Sequence, residues 1–177
     1  MDLDTYFKIT LFVIVSIIIT IFILLKITKI NKFLGRPIWH EPINIIDYNL
    51  DAPGTSKQIL DIYSLSHITH GILFYFVFKY LKMPIKRAFI LAIILEIIWE
   101  IFENTPYVIN KYRERPEYIN YQGDSIVNMI GDLFSMIVGF YLSFKNQNMA
   151  IMYLVITELG LIPFGANFLY LSFGSLL

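Results

Sequence analysis

This chain predicts an all-α protein, an integral membrane helical bundle of about five transmembrane helices, and three observations carry that prediction. Of 177 residues, 56% are hydrophobic and 16% charged, with a mean hydropathy of +0.62. An average soluble domain is less apolar and more charged. The apolar residues gather in runs of membrane-span length, separated by polar stretches that carry prolines. Ionisable side chains then recur inside those runs at helical spacing. Net charge is zero and no basic block stands out, which argues against a nucleic-acid partner. The chain has no cysteine, so disulfides, thiolate metal sites and a cysteine nucleophile are excluded.

The first predicted span, 9–25, is free of charge and bounded by Lys8 and Lys26. Lysines rather than a small-residue cleavage site follow it, so it reads as an uncleaved helix and not a signal peptide. The polar loop 26–58 is broken by Pro37, Pro42, Pro53 and Gly54. With Trp39 and Tyr48 suited to the headgroup level, it reads as an interfacial connector or, alternatively, as a cap over a cavity. The second span covers 59–81 and ends at a basic turn, Met83, Pro84, Lys86 and Arg87. The third covers 88–104, with Thr105-Pro106 beginning its exit.

A polar loop rich in tyrosine and charge fills 105–124. The fourth span, 125–144, opens on the N-capping pair Asp124-Ser125. The fifth, 149–170, carries Gly160, Pro163 and Gly165, which predict a kink. All spans belong to one domain without internal repeats, in the cell membrane, and four spans is the alternative count. Flanking lysines and arginines lean toward an amino terminus outside the cell. The sequence sets no oligomeric state.

Function points to the polar residues within these spans. Glu96, Glu100 and Glu103 share one helix face at about 100° per residue. His67 and His70 precede them on the second span; Asp124, Asn128 and Asp132 follow on the fourth. The second and third spans run oppositely, and His67 lies roughly 12 Å into its helix, as does Asp132. All three helices therefore place their polar residues in the same half of the bilayer. An Asp at a span centre costs roughly 2.5–3.5 kcal/mol on insertion scales, so such groups need partners, protons or a metal. Small residues Gly131, Ser135 and Gly139 share the fourth helix's polar face. A hydrogen-bonded packing seam therefore stands beside the functional reading.

Three chemistries fit. His67 and His70, three apart on a helix, with Glu100 and Asp124 facing them, suit one divalent zinc, iron or manganese ion. The same groups with Glu103 would serve as catalytic acid/base residues without a metal, or as a proton relay in a transporter. Glu96, Asn104, Asn128 and Asp132 are the candidates for orienting substrate. Transport is disfavoured by the missing inverted repeat. Gly123-Asp124-Ser125 matches the opening of a serine-esterase motif, but N-capping explains it. Glu158 is a buried candidate for the cluster, and His40 reads as a solvated loop histidine. Tyr112, Arg113 and Arg115 read as interfacial anchors or as an anionic headgroup site.

The segments Asp61-Ile-Tyr-Ser-Leu-Ser-His67-Ile-Thr-His70-Gly71, Glu96-Ile-Ile-Trp99-Glu100-Ile-Phe-Glu103-Asn104, Tyr112 and Tyr121-Gln-Gly123-Asp124-Ser125-Ile-Val-Asn128, followed by Asp132 and Gly139, resemble an uncharacterised bacterial family of multipass inner-membrane proteins. The resemblance covers about 35–140. More distantly, the His, Glu and Asp-x-x-x-Asn order is similar to VanZ-like proteins, associated with glycopeptide resistance and the cell envelope. The resemblance strengthens the membrane assignment and singles out the same residues but supplies no established reaction; the leading expectation is that the cavity handles a membrane lipid or lipid-linked envelope substrate. The family's loop cysteines are replaced here by Pro37-Ile-Trp-His40-Glu-Pro42, and its charged last-helix element by Leu161-Ile-Pro-Phe-Gly-Ala-Asn167.

Overall fold

The computed structural model describes residues 56–164 together with 5, 8, 12, 36–38, 45 and 46. The predicted first span apart from Phe12, together with Trp39, His40, Tyr48 and residues 165–170 of the fifth span, lies outside the described residues. The described chain is all-α, with five helices and no strand: α1 (Ser64–Tyr80), α2 (Ile85–Glu103), α3 (Pro106–Arg113), α4 (Ile126–Lys145) and α5 (Gln147–Leu161). Short 3-10 turns cover Pro116–Tyr118 and Ile162–Phe164.

The helix boundaries follow local chemistry. The Asp61 carboxylate accepts from the backbone N–H groups of Tyr63 (2.8 Å) and Ser64 (3.1 Å), so α1 begins only after it. Pro84, extended and without an N–H, precedes α2. Ser125 Oγ caps α4 by accepting from Asn128 N at 3.2 Å, and Asn146 caps α5 through Met149 N at 3.1 Å. The remaining donors at the start of α4 reach outward: Ser125, Ile126 and Val127 N–H donate to the carbonyls of Ser56, Pro37 and Ile38. Pro37, Ile38 and Ser56 of the loop 26–58 thus lie against the head of α4.

The tightest packing is between α1 and α4, where glycines permit backbone contact. A Cβ on Gly71 would overlap the Met136 carbonyl, and one on Gly139 would overlap the Ile68 carbonyl. Gly139→Ala is therefore expected to destabilise the fold by about 1–3 kcal/mol. A thermal unfolding midpoint equal to that of the unsubstituted protein would contradict it. Beyond these glycines, at the end near the α1–α2 turn, Tyr75, Phe78, Phe89, Met136, Ile137 and Phe140 form an apolar core. The opposite end is polar inside.

Large apolar side chains cover much of the exterior, including Ile90, Ile94, Ile97, Ile98 and Ile101 on α2 and Ile151, Met152, Val155, Ile156 and Leu159 on α5. Among the described residues, α4 is the one helix long and apolar enough to cross a membrane by length and composition. With 17 and 15 residues, α1 and α5 are shorter, whereas α2 carries Lys86, Arg87, Glu96, Glu100 and Glu103. The 105–124 stretch, predicted as a loop, contains α3 and its own small core of Val108, Ile109, Tyr112, Tyr118 and Tyr121.

Candidate functional site

Antiparallel α1 and α2 bring His67 and His70 against Glu96. His67 Nδ1 lies 2.6 Å from Glu96 Oε1, and His70 Nδ1 lies 3.1 and 3.0 Å from its two oxygens. Glu96 is wholly buried and both histidines nearly so. With each Nδ1–H directed at this carboxylate, the opposite nitrogen, Nε2, is left as the acceptor or ligand atom. His67 Nε2 faces Asp132 of α4, with 3.9 Å to Oδ2. The same ring's Nδ1 is 3.3 Å from Glu100 Oε1.

Asp132 is held by the Ser64 hydroxyl, which donates to Oδ1 at 2.6 Å. Ser64 Oγ in turn accepts from Asp61 N at 3.1 Å. Ser64→Ala removes the donor to a buried carboxylate and is expected to cost about 1.5–3 kcal/mol. Equilibrium unfolding of the purified variant checks this, and a change within measurement error would contradict it.

Glu103 and Asp124 form the other side of the site, and α3 supplies part of their support. Tyr112 OH donates to Glu103 Oε1 at 2.9 Å, and Tyr121 OH donates to Asp124 Oδ1 at 2.9 Å. Burial, with the Asp124 charge beside it, pushes the Tyr121 hydroxyl well above its ordinary pKa, so it remains a donor. Asn104 bridges from the end of α2: its Nδ2 donates to Asp124 Oδ2 at 2.6 Å, and its Oδ1 accepts from Asp124 N at 2.7 Å. Arg36 closes this edge by donating to the backbone carbonyls of Gln122 and Asn104.

Glu100 stands apart from the other acids. It is 4% exposed, and neither of its carboxylate oxygens has a hydrogen-bond partner. A buried unsatisfied carboxylate is costly. Asn128 is also buried, its Nδ2 without a partner and its backbone N–H engaged by the Ser125 cap.

The open space at the site is a cavity of about 40 Å³, whose lining includes Ser66, His67, Glu103, Asp124 and Asp132. That holds a few water-sized objects or ions, whereas organic ligands need several hundred Å³. His70 and Trp99, in edge-to-face contact at 5.9 Å, line this cavity and also an adjoining apolar groove of about 400 Å³. Leu73, Phe74, Leu95, Ile98 and Phe102 complete the groove.

The sequence-predicted residues therefore converge, but not as one quartet of metal ligands. Ligand atoms within 4.8 Å of one another occur as His67–His70–Glu96, as His67–Glu100–Asp132, and as Glu100–Glu103–Asp124. His67, His70, Glu100 and Asp124 do not form a single group at that separation. Glu96 and Asn104, predicted to orient substrate, hold protein groups: the two histidine rings and Asp124. Sequence reasoning gave no role to Ser64, Tyr121 and Asp61, whose hydroxyl and turn chemistry is indistinguishable from capping until their partners are known. Tyr112, read as an interfacial anchor, holds Glu103. Glu158 is half-buried on α5 and belongs to none of the three ligand groups.

The fold and site define a helical protein with a buried histidine–carboxylate centre. A family model described as "Protein of unknown function (DUF2585)" matches residues 31–164, and the chain belongs to that family. Among curated relatives, a UPF0314 protein of Brucella anthropi is 39% identical over 92 residues, covering 51% of this chain and 47% of that protein. One from Sphingopyxis alaskensis is 37% identical over 120 residues, covering 61% and 60%. One from Sinorhizobium fredii is 43% identical over 97 residues, covering 53% and 49%. The chain thus spans about half to three fifths of the length of these relatives. No solved structure matches it.

Proposed function

We propose that this is a multipass protein of the cell membrane whose His/Glu/Asp cavity holds a divalent metal and acts on a lipid or lipid-linked envelope substrate. The observation that carries the reading is the His67 ring, buried and within 3.9 Å of carboxylates from two other helices, Glu96 and Glu100 of α2 and Asp132 of α4. Such a set suits zinc, iron or manganese. The membrane setting is supported by the distribution of polarity: the histidines and acids of the centre are buried, while α2 and α5 expose Ile94, Ile98, Ile101, Met152, Ile156 and Leu159. Water rewards the reverse arrangement, and lipid tolerates this one.

The lipid class is supported by the two compartments. The polar cavity is too small for a whole substrate, while the adjoining groove offers an apolar bed ending at His70 and Trp99. An amphiphile with its chain in the groove and its head at the carboxylates fits both. His67 and the acids around it would then bind the ion or shuttle protons to the reacting head.

A second reading, a non-catalytic transporter or scaffold with a structural polar seam, draws on the close glycine contacts between α1 and α4. Elemental analysis of detergent-purified protein separates the two. Stoichiometric metal that disappears in a folded His67→Ala variant supports the metal site. Metal-free protein, together with unfolding of His67→Ala, supports the seam.

A further inference from the structure

Two of the three ligand groups meet at a single residue. Glu100 belongs both to the set with His67 and Asp132 and to the set with Glu103 and Asp124. We propose that the site is dinuclear: one divalent ion sits between His67, Asp132 and Glu100, a second between Glu103, Asp124 and Glu100, and Glu100 is the bridging carboxylate. This deepens the metal-dependent reading above and rests on it.

The unsatisfied state of Glu100 is the independent observation. Every other acid of the two sets has a protein donor: Ser64 on Asp132, Tyr112 on Glu103, and Tyr121 and Asn104 on Asp124. Carboxylates that ligate metals are oriented in this way by outer hydrogen bonds. Glu100 has none on either oxygen and is nine-tenths buried or more. Its 3.3 Å approach to His67 Nδ1 finds that proton already directed at Glu96, 2.6 Å away. A bridge uses both oxygens, one for each ion.

Separation and charge agree. Two ligand atoms on one ion lie no farther apart than about 4.4 Å, twice a bond of about 2.2 Å. The 4.8 Å groups therefore need only small shifts. Paired ions sit about 3.5–4 Å apart, a distance one carboxylate spans. Glu96, Glu100, Glu103, Asp124 and Asp132 are gathered here, and the ion pairs reaching them come from His67 and His70. Two dications offset this excess of acid where one would not. Glu96 is not a ligand in this arrangement: it belongs to neither of the two sets that share Glu100, and it holds the histidine rings through their Nδ1 atoms. The second site, built from carboxylates alone, favours an oxygen-seeking ion such as manganese over a softer one.

Manganese(II) alone, added to metal-stripped, detergent-purified protein, is the probe. The expected result is two equivalents bound, with an electron paramagnetic resonance spectrum of two exchange-coupled ions. Asp132→Asn and Asp124→Asn should each reduce binding to one equivalent with an uncoupled spectrum, and Glu100→Gln should abolish the coupled signal. One equivalent in the unsubstituted protein would overturn the bridge and leave a mononuclear site standing. No bound metal would overturn both readings. The unsubstituted protein's stoichiometry and spectrum decide the matter even where a variant fails to fold.

Discussion

Glu96→Ala is expected to be the most damaging single substitution in the polar half of the molecule, lowering stability by about 3–5 kcal/mol, the range for removing one partner of a buried ion pair. Glu96 is fully buried and receives both histidine rings, His67 at 2.6 Å and His70 at 3.0 Å. Alanine leaves two buried imidazole N–H groups without acceptors and opens a void beside them. Glu96→Gln keeps one carbonyl oxygen for the rings and should cost markedly less. Chemical denaturation of both variants, with matched controls, measures the difference. Equal effects would mean that the negative charge and second acceptor oxygen, which glutamine lacks, carry the contribution, and that packing and a single carbonyl do not.

The second large effect concerns metal removal. If divalent ions occupy the centre, a chelator should lower stability by roughly 4 kcal/mol at an ion concentration a thousandfold above the dissociation constant. Stripping also leaves Glu100, Glu103 and Asp124 close together without a counter-charge. Thermal unfolding with chelator, and again after re-addition of manganese, checks this. The midpoint should fall and then recover. A midpoint indifferent to both treatments would remove the metal from the proposed function while leaving the hydrogen-bonded cluster intact.

Much of this site was legible because helical spacing is rigid. Glu96, Glu100 and Glu103 recur at intervals that fix a common face, and the short turn at Met83–Pro84 forces α1 and α2 to lie antiparallel. His67 then had to meet α2 near Glu96. Which acid takes the ring protons was not legible, since Glu96 and Glu100 differ by one helical turn and by a side-chain rotamer. The 105–124 segment failed for another reason. Thr105-Pro106 was read as an exit, yet a threonine followed by proline is also how a helix begins. Thr105 caps α3 by accepting from Val108 N at 3.5 Å. Tyr112, Tyr118 and Tyr121 of this segment bury their rings, and the Tyr112 and Tyr121 hydroxyls are directed at Glu103 and Asp124.

Trp99 has a consequence for experiment. Its indole, together with the His70 ring, borders both a greasy chamber and an acid-lined pocket. Its emission should therefore register occupancy of either compartment. Trimming it to a small residue would leave His70 as the one shared wall among the lining residues and widen the opening between the two.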